Sequence, residues 1–164
     1  MTIMSLYTVC MNVTRRVDKM SIPKLNDNGE LPAGEYLTSL DEIERVYGSH
    51  TDQRKNLMGG LYAAVSNFEA AGVTTIWIDG SFVTDKDIPN DIDGCWEYNT
   101  SVSIDTLDPV FLDGRIKMKE KYGLDFFIAN CIEADSGLPF PKFFQVNRDG
   151  ESKGILVVKL RRGL

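Results

Sequence analysis

Between Thr74 and Tyr98 the chain reads TTIWIDGSFVTDKDIPNDIDGCWEY, and few folds accommodate that run. The near-continuous apolar residues Val73–Ile78 predict a central strand covered on both faces. Gly80-Ser81 ends it with a turn. The nine residues Phe82–Asn90 are enough to bring the chain back beside that strand, and Pro89 favours an extended backbone on the way. A second strand is expected over Asp91–Tyr98. Side chains alternate along a strand, so Asp91 and Asp93 should share one face while Ile92 turns into the core.

The flanking segments predict helices and a third strand. Thr38 and Ser39 offer an N-cap to a short helix, LDEIERVYG, that stops at Gly48. A longer helix runs from about Thr51 to Ala71, with Leu57, Leu61, Ala64, Val65 and Phe68 on one apolar face and Gly72 as its C-cap. Gly59-Gly60 inside it suggests close packing against a neighbour, at about 1 kcal/mol per glycine relative to alanine. A third helix is expected from Asp105 as N-cap, through Pro109, to Tyr122 and Gly123. Leu124–Ile132 reads as a third strand, Ser136–Pro141 as a loop, and Phe143–Val146 with Ile155–Leu160 as a final hairpin. The expected fold is α/β (α+β), a small mixed sheet flanked by helices. Residues 1–22 read as an N-terminal extension or edge strand, with the turn-rich SIPKLNDNGELPAGEY leading in, and residues 23–164 as one domain.

Composition narrows the function. Of 164 residues 43% are hydrophobic and 26% charged, ordinary for a single globular domain. A net charge of −6 excludes a general DNA or RNA binder, which needs a basic surface. Cys10, Cys95 and Cys131 form no CxxC pair and His50 is the single histidine, so a zinc site is not expected. The cysteine usage fits a reducing cytoplasm. The apolar run IMSLYTVCMNV is too short to cross a membrane, and its arginines follow it, the wrong order for a secretory signal. Cys95 and Cys131 are expected as packed thiols, Trp77 and Trp96 as core, His50 at a helix start, and Arg161-Arg162 as a solvated tail.

Asp91 and Asp93 on one face could share a hard divalent ion such as Mg²⁺ or Mn²⁺, which takes oxygen ligands. At Gly80-Ser81 the backbone can approach a phosphate and the serine hydroxyl can donate to it. Two metals around an in-line transfer call for a third carboxylate. Asp125, opening the third strand, is the first candidate, with Glu133 and Asp135 behind it.

Gly-Ser, a spacer of nine and Asp-x-Asp after a helix and strand resemble the DNA polymerase beta-type nucleotidyltransferase superfamily, whose small bacterial minimal nucleotidyltransferases are nearest in size. GSFVTDKDIPNDID with LPAGEYLTSLDEIERVYG resembles more closely a bacterial and phage-associated branch of that fold. The resemblance spans about Thr51 to Ile132. It implies Gly80 and Ser81 as nucleotide-phosphate binders, Asp91 and Asp93 as metal ligands, and Asp125 as third acid by its place in the third strand. Some members carry a basic residue and a glycine shortly after Gly-Ser; here Thr84, Asp85 and Lys86 stand there, and the resemblance makes Lys86 a candidate triphosphate contact. The implied activity is Mg²⁺-dependent transfer of a nucleoside monophosphate from a nucleoside triphosphate to a protein or RNA hydroxyl, a transfer RNA included. The implied setting is a toxin–antitoxin or phage-defence module. Alternatives are an inactive binding protein of the same fold and a phosphohydrolase using water as acceptor.

Overall fold

The computed structural model describes residues 21–161. The edge strand or extension expected over 1–20, with Cys10, and Arg162 of the basic tail lie outside the described residues. Five strands form one mixed sheet: β1 (Gly34–Thr38), β2 (Thr75–Asp79), β3 (Ile92–Trp96), β4 (Leu124–Ile128) and β5 (Gly154–Lys159), in the order β1-β5-β2-β3-β4. β1 pairs parallel with β5 and β3 with β4, while β2 is antiparallel to both β5 and β3. β2 therefore runs against the other four. Its carboxyl end lies where β3, β4 and β5 begin.

The helices follow from local chemistry where that chemistry is strong. Helix α1 (Leu40–Ile43) starts at Ser39, whose side chain accepts from the Glu42 amide, and continues as a π-helical turn over Glu44–Gly48. Helix α2 (Asp52–Ala71) is capped by Thr51, which accepts from the Arg54 amide, and is closed by Gly72 at φ +91. All five residues expected on its apolar face are buried. A Cβ on Gly60 would lie 2.0 Å from the Tyr122 carbonyl oxygen, so this glycine is the contact point with the next helical layer. Gly59 faces open space.

Four expectations are corrected. The helix expected from Asp105 to Tyr122 is two helices, α3 (Val110–Asp113) and α4 (Arg115–Tyr122), broken at Gly114. Asp105 caps neither. Asn67 of α2 accepts from the Asp108 amide and donates to the Thr106 carbonyl, fixing that stretch as a turn, and the Asp108 carboxylate accepts from the Val110 amide. Secondly, the strand expected to Ile132 ends at Ile128; Cys131 is exposed beyond it, whereas Cys95 is buried as expected. Thirdly, the final hairpin does not form. Phe140–Phe143 is a helical turn, α5, because Phe140, Phe143 and Phe144 pack at helical spacing, with Phe140 stacked on Phe127 at 4.4 Å. A single bridge, Val146 to Ser152, is what pairs there. Fourthly, Gly34–Tyr36, the end of the stretch expected as turns and extended lead-in, pairs together with Leu37 and Thr38 as β1, which leaves Ser39 as the cap of α1.

The core lies between the sheet and the longer helices. Phe68 of α2 packs against Trp96, Phe111 and Phe126 at 5.8, 4.3 and 6.3 Å between ring centroids. Trp96 is fully buried, Trp77 half-buried. No helix among the described residues is long and apolar enough to cross a membrane.

Candidate functional site

β2 delivers the chain to Gly80, whose φ of +78 and ψ of −164 belong to a region that side chains rarely allow. A Cβ here would stand 2.1 Å from Asp93 Oδ2, so only glycine lets the backbone pass this close to the acid. Ser81–Val83 then forms a 3₁₀ turn, closed by the Val83 amide donating to the Gly80 carbonyl at 3.1 Å. The loop after it is held from below by Arg54, 3% exposed. That guanidinium donates to the carbonyls of Tyr47, Phe82, Thr84 and Lys86 and has no carboxylate partner among the described residues. A positive charge is thus spent on backbone dipoles to fix the far wall of the site.

Register brings the acids together. Asp79 lies opposite Asp93 across β2 and β3, and Asp93 opposite Asp125 across β3 and β4. Residues paired this way share a face, so Asp79, Asp93 and Asp125 form a row across three strands. Asp91, two residues before Asp93, joins the same face. One carboxylate oxygen from each of Asp91, Asp93 and Asp125 lies within 4.8 Å of the others. Ile92 between the two acids is fully buried, as the alternation predicts.

Each end of the row carries cations. Lys153 donates to Asp79 Oδ2. At the other end Arg115 grips Asp125 with two bonds, Nε to Oδ1 at 2.8 Å and Nη2 to Oδ2 at 2.6 Å. Lys119 bridges Asp91 at 2.8 Å and Asp125 at 3.1 Å. Asp93, in the middle, receives no side-chain hydrogen bond or ion pair among the described residues. Burial, then its acidic neighbours Asp91, Asp125 and Asp79, push its carboxyl up to about 7. Burial also pushes Asp79 up, to about 6, with Lys153 working against it. Burial would raise Asp125 too, but the bonds from Arg115 and Lys119 outweigh it and hold that carboxyl below its ordinary range.

A cavity of about 550 Å³ opens beside Asp93, with Asp79, Gly80, Ser81, Lys86 and Lys153 in its wall. Of the residues singled out from sequence, Gly80, Ser81, Lys86, Asp91, Asp93 and Asp125 therefore cluster about one concavity and the acid row beside it. Glu133 and Asp135 do not: Glu133 accepts from the Asp135 and Ser136 amides in an exposed turn. His50 stands exposed just before the α2 cap. Asp79, Arg115, Lys119, Lys153 and Arg54 were missed. Asp79 carried a signal, an acid closing an apolar strand directly before Gly-Ser. Arg115 and Lys119 carried a fainter one, two cations four residues apart and on one helix face. Lys153 and Arg54 gave none, because their partners lie 74 and about 30 residues away in sequence.

A family model described as "Family of unknown function (DUF6932)" matches residues 23–159. No curated protein matches the chain, and no solved structure does.

Proposed function

The chain belongs to that family, and from the geometry of its acids we propose that it is a Mg²⁺-dependent nucleotidyltransferase acting from a nucleoside triphosphate onto a protein or RNA hydroxyl. The observation that supports this reading is the convergence of Asp91, Asp93 and Asp125 within 4.8 Å, beside a glycine turn that walls a cavity. Three carboxylates are a donor set suited to hard divalent ions, and the unpartnered Asp93 at their centre has oxygen to offer. Asp91, Asp93 and Asp125 would hold the ions, Mg²⁺ or Mn²⁺. Such ions supply charge neutralisation at the phosphates and ease ionisation of the attacking hydroxyl.

The chain's own part is positioning. Gly80 admits the triphosphate close to the backbone, and the Ser81 hydroxyl donates to a phosphate oxygen. Lys86 adds a cation from the loop that Arg54 holds in place. Asp125, at the far end of the row from the cavity wall, orients the acceptor hydroxyl. A toxin–antitoxin or phage-defence setting, with a partner protein or transfer RNA as acceptor, is implied by the resemblance of the sequence to the nucleotidyltransferase superfamily and belongs to this proposal.

Incubation with α-labelled nucleoside triphosphates and Mg²⁺ tests it. The wild type should label an acceptor and release pyrophosphate; Asp91→Ala/Asp93→Ala, which removes two direct ligands, should cost more than the roughly 10–100-fold typical of residues that only orient a metal's ligands. Equal labelling by the two proteins would sink the enzymatic reading. One observation favours a second reading, an inactive binding protein of this fold: Asp91 and Asp125 are already bonded to Lys119 and Arg115. Nucleotide-dependent stabilisation without turnover would mark it.

A further inference from the structure

Resting on the metal reading of the three aspartates, we infer that Arg115 and Lys119 of α4 form an exchangeable charge lock that occupies the acid row until a divalent ion displaces it. The two residues are one helical turn apart, so both reach the acids from a single face of α4. Between them they make three contacts to Asp125, two from Arg115 and one from Lys119, and one contact to Asp91. Their acids are largely buried, with side-chain exposures of 4% for Asp125 and 17% for Asp91. The cations are not: the Arg115 side chain is 65% exposed and that of Lys119 41%.

That asymmetry makes exchange the natural outcome. Each cation already has much of its surface in water and is rehydrated readily when it leaves, so the cost of breaking the pairs falls on the acids. The acids cannot be left bare, because an uncompensated buried carboxylate is strongly destabilising. A cation must therefore arrive as these leave. The Arg115 guanidinium also lies over the Phe127 ring at 5.5 Å, which gives it an apolar surface to keep when the carboxylate contact is lost.

The lock makes metal binding weaker than three carboxylates alone would allow. Mn²⁺ titration of the full chain at low ionic strength, followed by electron paramagnetic resonance or calorimetry, tests this. Lys119→Gln and Arg115→Gln should each tighten Mn²⁺ binding about five- to tenfold, the scale of a typical coupling between two ligands of one site. Lys119→Arg, which keeps the charge, should stay at the wild-type affinity, and Asp93→Asn should lose binding. Without metal the two glutamine variants should melt below the wild type, and saturating Mn²⁺ should remove that deficit. Unchanged or weaker Mn²⁺ binding in both variants, with wild-type binding intact, overturns the lock but leaves the metal reading standing. Absence of binding in every form overturns both.

Discussion

Asp93 is the residue on which the site turns. Its neighbours on the row are each neutralised by a basic side chain, and it is left with a carboxyl raised to about 7 by burial and by the acids around it. The consequence for stability has a definite sign. Between the ordinary carboxylate value of 3.8 and about 7, the folded state keeps a proton that the unfolded chain has lost. This contribution is complete below the lower value and disappears as pH rises through about 7. Asp79, raised to about 6, acts in the same direction. Asp125, held low, acts oppositely, and its contribution is lost only in acid, as pH falls through its lowered value. Metal-free protein should therefore lose thermal stability from pH 5 to pH 8. Asp93→Asn should flatten that slope and raise Tm at pH 8 by a few degrees. A slope that the substitution leaves untouched would contradict the assignment. Sequence made Asp93 legible because alternation about Ile92 is a local property. Its isolation was not legible, since it depends on which distant side chains reach Asp125 and Asp79.

Among the elements, those bounded by strong local chemistry stand where the sequence puts them. Thr51 and Gly72 bracket α2, and Gly80-Ser81 ends β2, because caps and positive-φ turns require only a few adjacent residues. The elements that differ, α3, α4 and α5, are decided by contacts from afar: Asn67 on the 106–108 turn, and Phe127 beneath the phenylalanines of α5. The glycine pair of α2 divides the same way and supplies a test. Gly60→Ala drives a methyl into the Tyr122 carbonyl and should cost about 1–3 kcal/mol by overpacking. Gly59→Ala points into open space and should gain up to about 1 kcal/mol through helix propensity. Chemical denaturation of the two variants measures both. Equal effects would mean that α2 does not approach α4 at Gly60.

Across the whole molecule, β2 runs against its four companions, so its carboxyl end lies with the starts of the other four strands, and the cavity and the acids both lie there. A nucleotide and a divalent ion bound at that edge should stabilise the fold as a unit. At a hundredfold excess over Kd a ligand contributes about 2.7 kcal/mol. Thermal unfolding with nucleoside triphosphate and Mg²⁺ together should show a higher Tm than with either alone, and no shift under any combination would count against a nucleotide site. The sequence by itself determined the strand-turn-strand unit, the shared face of Asp91 and Asp93, and the glycine that must precede Ser81. Those follow from period-two alternation and backbone sterics within a few residues. Only the tertiary structure decided that Asp125 meets them, that Asp79 extends the row, and that Arg115, Lys119 and Lys153 neutralise its ends. Strand register and helix placement are set by packing between residues far apart in the chain, and no local pattern encodes which charge will face which.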